Sequence, residues 1–421
     1  MPKKHYSWKD GTPQIKQHSQ AKHRVLKKYL IQYLQTLACF PGQTECKLTL
    51  VDGFAGGGVY IDSASGCEQP GSPFIMLDAV REASEEINKD RTNKISFDVH
   101  YVFVEKLRDN YLSLLNELNK KGYSDLIGES IFVLNSPFEN ETEKIIALVK
   151  NHTPKAERAI FLLDQYGYSD VHMDTINSIF RYLKNSEIIL TFHVSAFLTY
   201  MDKDNVNGYQ PLSKIGIALP EVKNPDLSSM MINDDELLRY RIQSSVQYGL
   251  MQSCNAGFYT PFFINGTKGY GEYWLIHMSQ HLRARMVMLG VHWDNSNDFK
   301  HYAGPGLDMF NIIGYSQKKT NRLDFGFDDL AEQESKALLV EQLPRIFYSS
   351  PEGVTFQALL EKHCNLSPAK EEIFREALND LIAYKEIAII SKDGVTRRKG
   401  NNVHLSDYIK PPAQRVFIFP T

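Results

Sequence analysis

Residues 51–60 read VDGFAGGGVY. They follow the apolar stretch KLTL (47–50) and place an acid, an aromatic and a glycine run where a strand ends. Glycine accepts positive φ and lets a backbone come close to a ligand. Asp52 excludes a phosphate cradle, because a carboxylate there repels phosphate. The phosphate-loop pattern also needs GKS or GKT after its glycines, which this stretch lacks. An acid suits a cationic or hydroxyl-bearing ligand instead.

Outward from this turn, strand and helix patterns alternate. Before it, Ser19–Leu37 carries Val25, Leu26, Tyr29, Leu30, Tyr33 and Leu34 at helical spacing, with a basic polar face. Lys47–Phe54 reads as a strand, and Pro73–Ile87 as a helix with proline at its start. Strands follow at Val99–Val104, Ile131–Leu134, Ala159–Leu163 and Glu187–Phe192, with helices at Arg108–Asn119, Glu141–Lys150 and Thr175–Leu183 between them. Short strands rich in Ile, Leu, Val and Phe, each followed by a crossover helix, predict a parallel sheet buried on both faces. The fold class is α/β, doubly wound.

After Ala196 the pattern changes. Met201–Ser253 reads as a polar helical insertion, and Phe258–Ile264 with Tyr273–Met278 as a late hairpin around Gly266, Gly269 and Gly271. Ala284–Val291 closes a first domain spanning residues 1–315. Residues 316–335 are polar and read as a linker. Residues 336–421 hold three amphipathic helices, Lys336–Phe347, Thr355–His363 and Lys370–Ala383, then strands at Ile387–Ile390 and Val403–Leu405. Three helices and a basic two-stranded loop describe a winged helix-turn-helix. Arg397, Arg398 and Lys399 would lie in its wing and contact nucleic acid. Residues 341–421 balance 11 basic against 10 acidic side chains, so any nucleic-acid contact is local.

The chain has 421 residues, with 43% hydrophobic and 23% charged residues, the composition of a soluble globular protein. A net charge of −3 gives no global polyanion-binding signature. The five cysteines are scattered and never in CxxC spacing, which argues for a reducing compartment and against a zinc site. No apolar run is long enough to cross a membrane, and a cytoplasmic location is expected. His277 and His281 have i,i+4 spacing, but the first falls in a strand and no third ligand is near, so no metal is expected.

In an open α/β sheet, ligands bind beyond the carboxyl ends of the strands. Those ends carry Asp52 with Gly53, Phe54, Ala55, Gly56, Gly57 and Gly58; then Glu105; then Asn135; then Asp164-Gln165-Tyr166-Gly167. Glu105 is placed to accept from ribose hydroxyls and Asn135 to meet an adenine edge. Asp164 and Tyr166 face the crevice where a reacting group would sit. Together these endings point to S-adenosylmethionine rather than a dinucleotide. DGFAGGG resembles the first motif of class I methyltransferases in its nucleic-acid-modifying form. The fuller pattern, Lys22, Asp52 to Gly58, Glu105, Asp164 to Gly167 and Phe258 to Trp274, resembles the three-Cys-motif partner protein family over about 300 residues. That resemblance implies a methyltransferase-like domain, a cofactor role for Lys22, a defence-associated context and a partner protein carrying a Cys motif.

Two departures bear on the chemistry. Amino-methylating enzymes of adenine and cytosine carry Asp/Asn-Pro-Pro-aromatic, where the acid accepts from the exocyclic amine and the aromatic stacks on the flipped base. Here Gln165 stands for the first proline and Gly167 for the aromatic, leaving Tyr166 or Tyr168 to stack. A cytosine-C5 enzyme needs a cysteine nucleophile after the fourth strand, and none of the five is there. A binding or docking module without catalysis is the competing reading. A dehydrogenase is a weaker one, because GFAGGG matches G-x-G-x-x-G only in part.

Overall fold

The sheet is built outward from strand β2 (Glu45–Asp52), in which Leu48, Leu50 and Val51 are wholly buried. A strand apolar on both faces must be flanked and covered. In the computed structural model, which describes residues 6–167, 169–193, 213–217, 248–264, 273–294, 300–301, 306–307, 325–326 and 328–412, β2 is central. Two compact units divide the chain, 1–291 and 292–421, with the cut inside the helix Leu282–Trp293.

In the first unit a two-residue strand β1 (Gln14–Ile15) leads into helix α1 (Gln17–Leu37) and β2. Strands β3 (Val59–Asp62) and β4 (Glu68–Pro70) precede helix α2 (Ser72–Lys89). Then come β5 (Ser96–Val104), α3 (Arg108–Lys120), β6 (Ile131–Leu134), α4 (Phe138–His152), β7 (Arg158–Leu163), α5 (Met173–Tyr182) and β8 (Asn185–His193). Strands β9 (Phe258–Ile264) and β10 (Tyr273–Ser279) end the unit's sheet. Its seven strands run in the order β6-β5-β2-β7-β8-β10-β9. The first five are mutually parallel, and β10 is antiparallel to both neighbours. This is the expected doubly wound sheet, with a late antiparallel strand pair at one edge. The order reverses at β2, where chain crossovers switch from one side to the other, so ligand-binding loops gather beyond β2, β5 and β7.

Between the first turn and α2 lie two strands of a small three-stranded sheet. Strand β3 pairs in parallel with β1 and antiparallel with β4. Its strands are too short for a periodicity signal, and one of its partners lies before α1. The insertion, hairpin turn and linker expected over residues 201–212, 218–247, 265–272 and 308–324 lie outside the described residues, as does Tyr168.

The second unit is a winged helix-turn-helix. Its first helix spans Asp329–Tyr348, starting before the expected Lys336. Asp328 sets that start, its carboxylate accepting from the Ala331 amide at 2.9 Å. Helices Phe356–His363 and Glu371–Ala383 follow, the former capped by the Thr355 hydroxyl. Leu339, Leu343, Phe356, Leu360, Phe374 and Ile409 form a wholly buried core. The wing differs from expectation: Ala388–Ile390 pairs with Thr396–Arg397 and with Tyr408–Lys410, and Val403–Leu405 is not a strand. A short turn at Gly400–Asn402 docks on helix Glu371–Ala383 and delays the return strand. A β-carbon on Gly400 would stand 2.1 Å from the Arg375 carbonyl oxygen. Gly400→Ala is therefore expected to destabilise this unit by about 2–3 kcal/mol. Denaturant unfolding of the full chain should show an earlier transition; a midpoint equal to wild type would contradict the close packing.

Candidate active site

The first turn is fastened to both neighbouring strands: the Gly53 amide donates to the Leu162 carbonyl at 2.9 Å and the Ala55 amide to the Val104 carbonyl at 3.0 Å. Side chains that end β2, β5 and β7 thereby meet around one cleft. Its walls include Gly53, Gly56, Glu105, Asp164, Gln165 and Tyr166, together with Lys22 from α1 and Tyr6 and Trp8 from the N-terminal segment. The cleft holds about 160 Å³ of open space.

Asp52 is wholly buried. One carboxylate oxygen, Oδ1, accepts from the Phe54 amide at 3.0 Å. The other, Oδ2, is buried and makes no hydrogen bond among the described residues. Burial pushes this carboxyl up to about 7, against the opposing pull of the Ser72 hydroxyl and the Phe54 amide. Glu105 accepts from the Gly56 amide at 2.9 Å and from the Leu107 amide at 2.7 Å, one on each oxygen. Burial raises it from the usual carboxylate range, and those two amides oppose the rise. A carboxylate has about four acceptor sites, so both groups retain capacity toward a ligand.

Asp164, after β7, is gripped by Lys22, whose Nζ reaches Oδ1 at 2.5 Å and Oδ2 at 2.6 Å. Burial works to raise the Asp164 carboxyl, but the Lys22 charge and hydrogen bonds outweigh it and hold the group below its ordinary range. Lys22 is positioned from two turns further along α1. There Tyr29 and His277 both meet Glu187 Oε2, the His277 Nε2 at 2.9 Å, in a buried network joining α1 to β8 and β10. His277 and His281 therefore do not converge: His281 Nε2 pairs with Asn185 Oδ1 at 2.5 Å. His23, beside Lys22, is driven down to about 4 by burial and is neutral.

Gln165 turns inward. Its Oε1 accepts from the amides of Asp170 and Val171, at 2.9 and 3.2 Å, tying the loop after β7 into a closed turn. Tyr166 lines the cleft. Asn135 is exposed, and its Nδ2 donates to the carbonyls of Glu105 and Lys106 at 2.8 and 3.3 Å. The cleft wall at that strand end is Ser136, Pro137 and Phe138. Asn135 thus braces the Glu105 loop.

The glycine run answers to the protein's own packing. A β-carbon on Gly57 would fall 2.4 Å from the Trp8 ring, and one on Gly53 2.8 Å from Leu163 and Phe138. Gly58 has φ of 90°, which favours glycine. Trp8 is fixed by its indole donating to the Val59 carbonyl at 2.9 Å and its amide to Asn110 Oδ1 at 3.2 Å. Tyr6 packs edge-on against Tyr60, with ring centroids 5.2 Å apart. No local pattern marks Trp8 or Tyr6 as part of the cleft; the β1–β3 pairing and these long-range contacts bring them there.

In the second unit, Arg398 and Lys399 are exposed. Arg397 instead forms an ion pair with buried Asp407, Nε to Oδ2 at 2.8 Å. All five cysteines are free. Among the described residues, no helix is long and apolar enough to cross a membrane.

Residues 314–394 match the family described as the GMT-like wHTH domain. No curated protein matches the chain in sequence. Similar solved structures include a protein of Legionella pneumophila (10% identity, 61% of this chain and 85% of that one, TM-score 0.34). Others are the plantazolicin methyltransferase BamL in complex with a triazolic desmethylPZN analogue and S-adenosylhomocysteine (9% identity, 63% of this chain and 85% of that one, TM-score 0.25) and the human methyltransferase 10 domain containing protein (9%, 61% and 83%, TM-score 0.24).

The folded state binds the Asp52 proton more tightly than the unfolded chain. Stability from this group is fully present below about pH 4 and is lost as pH rises to about 7. Asp52→Asn keeps an acceptor for the Phe54 amide and removes the buried charge. It should stabilise the fold at pH 8 by on the order of 3 kcal/mol, with a smaller gain at pH 5. Thermal unfolding at the two pH values checks this; an equal or lower melting temperature at pH 8 would count against it.

Proposed function

We propose that the first unit is an S-adenosylmethionine-dependent methyltransferase acting on nucleic acid. The observation that carries this reading is one cleft at three adjacent strand ends, walled by the Gly53–Gly56 turn, Glu105 and Asp164, with Asp52 buried at the root of that turn and its Oδ2 without a hydrogen bond among the described residues. Such an acid-rich cleft fits a ligand bearing an ammonium, a sulfonium and ribose hydroxyls, and repels a phosphate-rich one. When bound, S-adenosylmethionine supplies an electrophilic methyl group. Asp52 and the glycine turn would hold its amino-acid part, and Glu105 its ribose.

Asp164 stays ionised under the Lys22 charge, so it is an acceptor only and can orient a donor hydrogen on the target atom. Tyr166 offers a face for a base to stack on. Where amino-methylating enzymes use proline for stiffness, the Gln165 side chain closes the loop by hydrogen bonds. Transfer between an aligned nucleophile and methyl group needs mainly positioning, which this rigid acid supplies. The winged helix would bring the domain to DNA through Arg398 and Lys399, with Arg397 holding the wing's shape. The motif set further supports membership in the three-Cys-motif partner family, with a Cys-motif partner protein in a defence setting.

Incubation of the protein and tritiated S-adenosylmethionine with DNA and with RNA tests the activity. Label should enter one of them; none in either, with bound cofactor verified by calorimetry, sinks it. The second reading, a cofactor-binding module, is favoured by Lys22 occupying both Asp164 oxygens, and tight binding without label would establish it. Lys22→Met should raise the Asp164 carboxyl and move the acid limb of the transfer rate to higher pH. An unmoved limb would remove Asp164 from the reaction. In DNA binding, Arg398→Ala and Lys399→Ala should each lower the log–log salt slope by about 1, and Arg397→Ala should act through stability instead. Slopes unchanged in both would take the wing off the DNA.

A further inference from the structure

A second cluster lies at the opposite end of the sheet from the cleft. In the parallel register of β2 and β5, Lys47 is the partner of Asp98 and Thr49 of His100. Alternation along a strand puts these four side chains on one face. His152, the last residue of α4, comes down onto them. One ligand atom from each of Asp98, His100 and His152 can be chosen so that all lie within 4.8 Å of one another.

Three observations go beyond proximity. The His152 side chain is 5% exposed, and its Nε2 is buried and makes no hydrogen bond among the described residues, although Asp98 Oδ1 stands 3.1 Å from it. Its other ring nitrogen, Nδ1, pairs with the Thr49 hydroxyl at 3.1 Å, which fixes the ring with Nε2 toward Asp98. Asp98 is itself oriented, because Lys47 holds Oδ2 at 2.8 Å and leaves Oδ1 facing the histidines. An aimed imidazole nitrogen, a hydrogen-bonded far side and a braced carboxylate are the outer-shell arrangement of metal-ligating residues. Two ligands of one tetrahedral zinc ion stand about 3.4 Å apart, close to the spacing of Nε2 and Oδ1. The His100 and His152 rings lie face to face, with centroids 3.6 Å apart. Histidine χ2 is a soft torsion, so the rings can fan about a shared ion at small cost.

We propose that Asp98, His100 and His152 bind a divalent transition-metal ion, for which two imidazoles and one carboxylate are a suitable donor set. Such an ion ties the C-terminal end of α4 to β5. The N-terminal end of the same helix is Phe138, which walls the cleft and packs beside Gly53. The ion's role is thus structural, setting α4 in place.

Calorimetry and native mass spectrometry with ZnCl₂ on the full chain test the site. One ion per chain is expected, with affinity reduced at least tenfold in His100→Gln and in His152→Gln and unchanged in His281→Ala. Lys47→Gln removes a cation 2.8 Å from Asp98 and should tighten binding several-fold, a gain that misfolding does not produce. Failure of the wild-type protein to retain zinc, or equal affinity in both glutamine variants, overturns the proposal.

Discussion

A lysine on the first helix and an aspartate at the end of the fourth parallel strand hold each other across 142 positions of sequence. Much of the cleft depends on that pair. It holds the Asp164 carboxyl below its ordinary range where burial works to raise it, and it ties α1 to the end of β7. Removing either member leaves the other in a partly buried place without its counter-charge, which costs far more than a surface ion pair is worth. Behind it, Glu187, Tyr29 and His277 repeat the device more deeply. Together they make α1 part of the site rather than a cover for the sheet.

The neighbouring acids follow a different logic. Among the described residues no cation relieves Asp52, so its burial shows as a pKa of about 7. Glu105 is relieved by backbone amides. Three carboxylates at adjacent strand ends are thus held in three electrostatic states by three kinds of neighbour. Division of that sort separates a group that stays charged from one that changes charge when a cationic ligand arrives.

The sheet was legible in the sequence because each strand is a short run of branched and aromatic residues followed by a helix pattern. The positions of Asp52, Glu105 and Asp164 followed from the rule that ligands gather at strand ends. What stayed hidden was non-local. Trp8 and Tyr6 sit in a polar stretch, and their place depends on a strand of two residues pairing with one after the glycines. The glycines themselves read as space for a ligand, whereas Gly57 is filled by Trp8. Asn135 and Arg397 are the residue types expected at a site, yet their donors are spent on the Glu105 loop and on Asp407. Residue type alone does not say which partner a side chain takes.

The N-terminal wall has a consequence for timing. The open space in the cleft, about 160 Å³, is below the roughly 300–1,000 Å³ of sites that enclose small molecules. A ligand that fills it must displace part of the lining. The segment carrying Tyr6 and Trp8 is secured by β1, two residues long, and by a few hydrogen bonds, whereas the other walls are rooted in strands and helices. Local opening is drawn from the least stable element. Access to such a cleft then depends more on how readily that segment opens than on the elements rooted in the sheet.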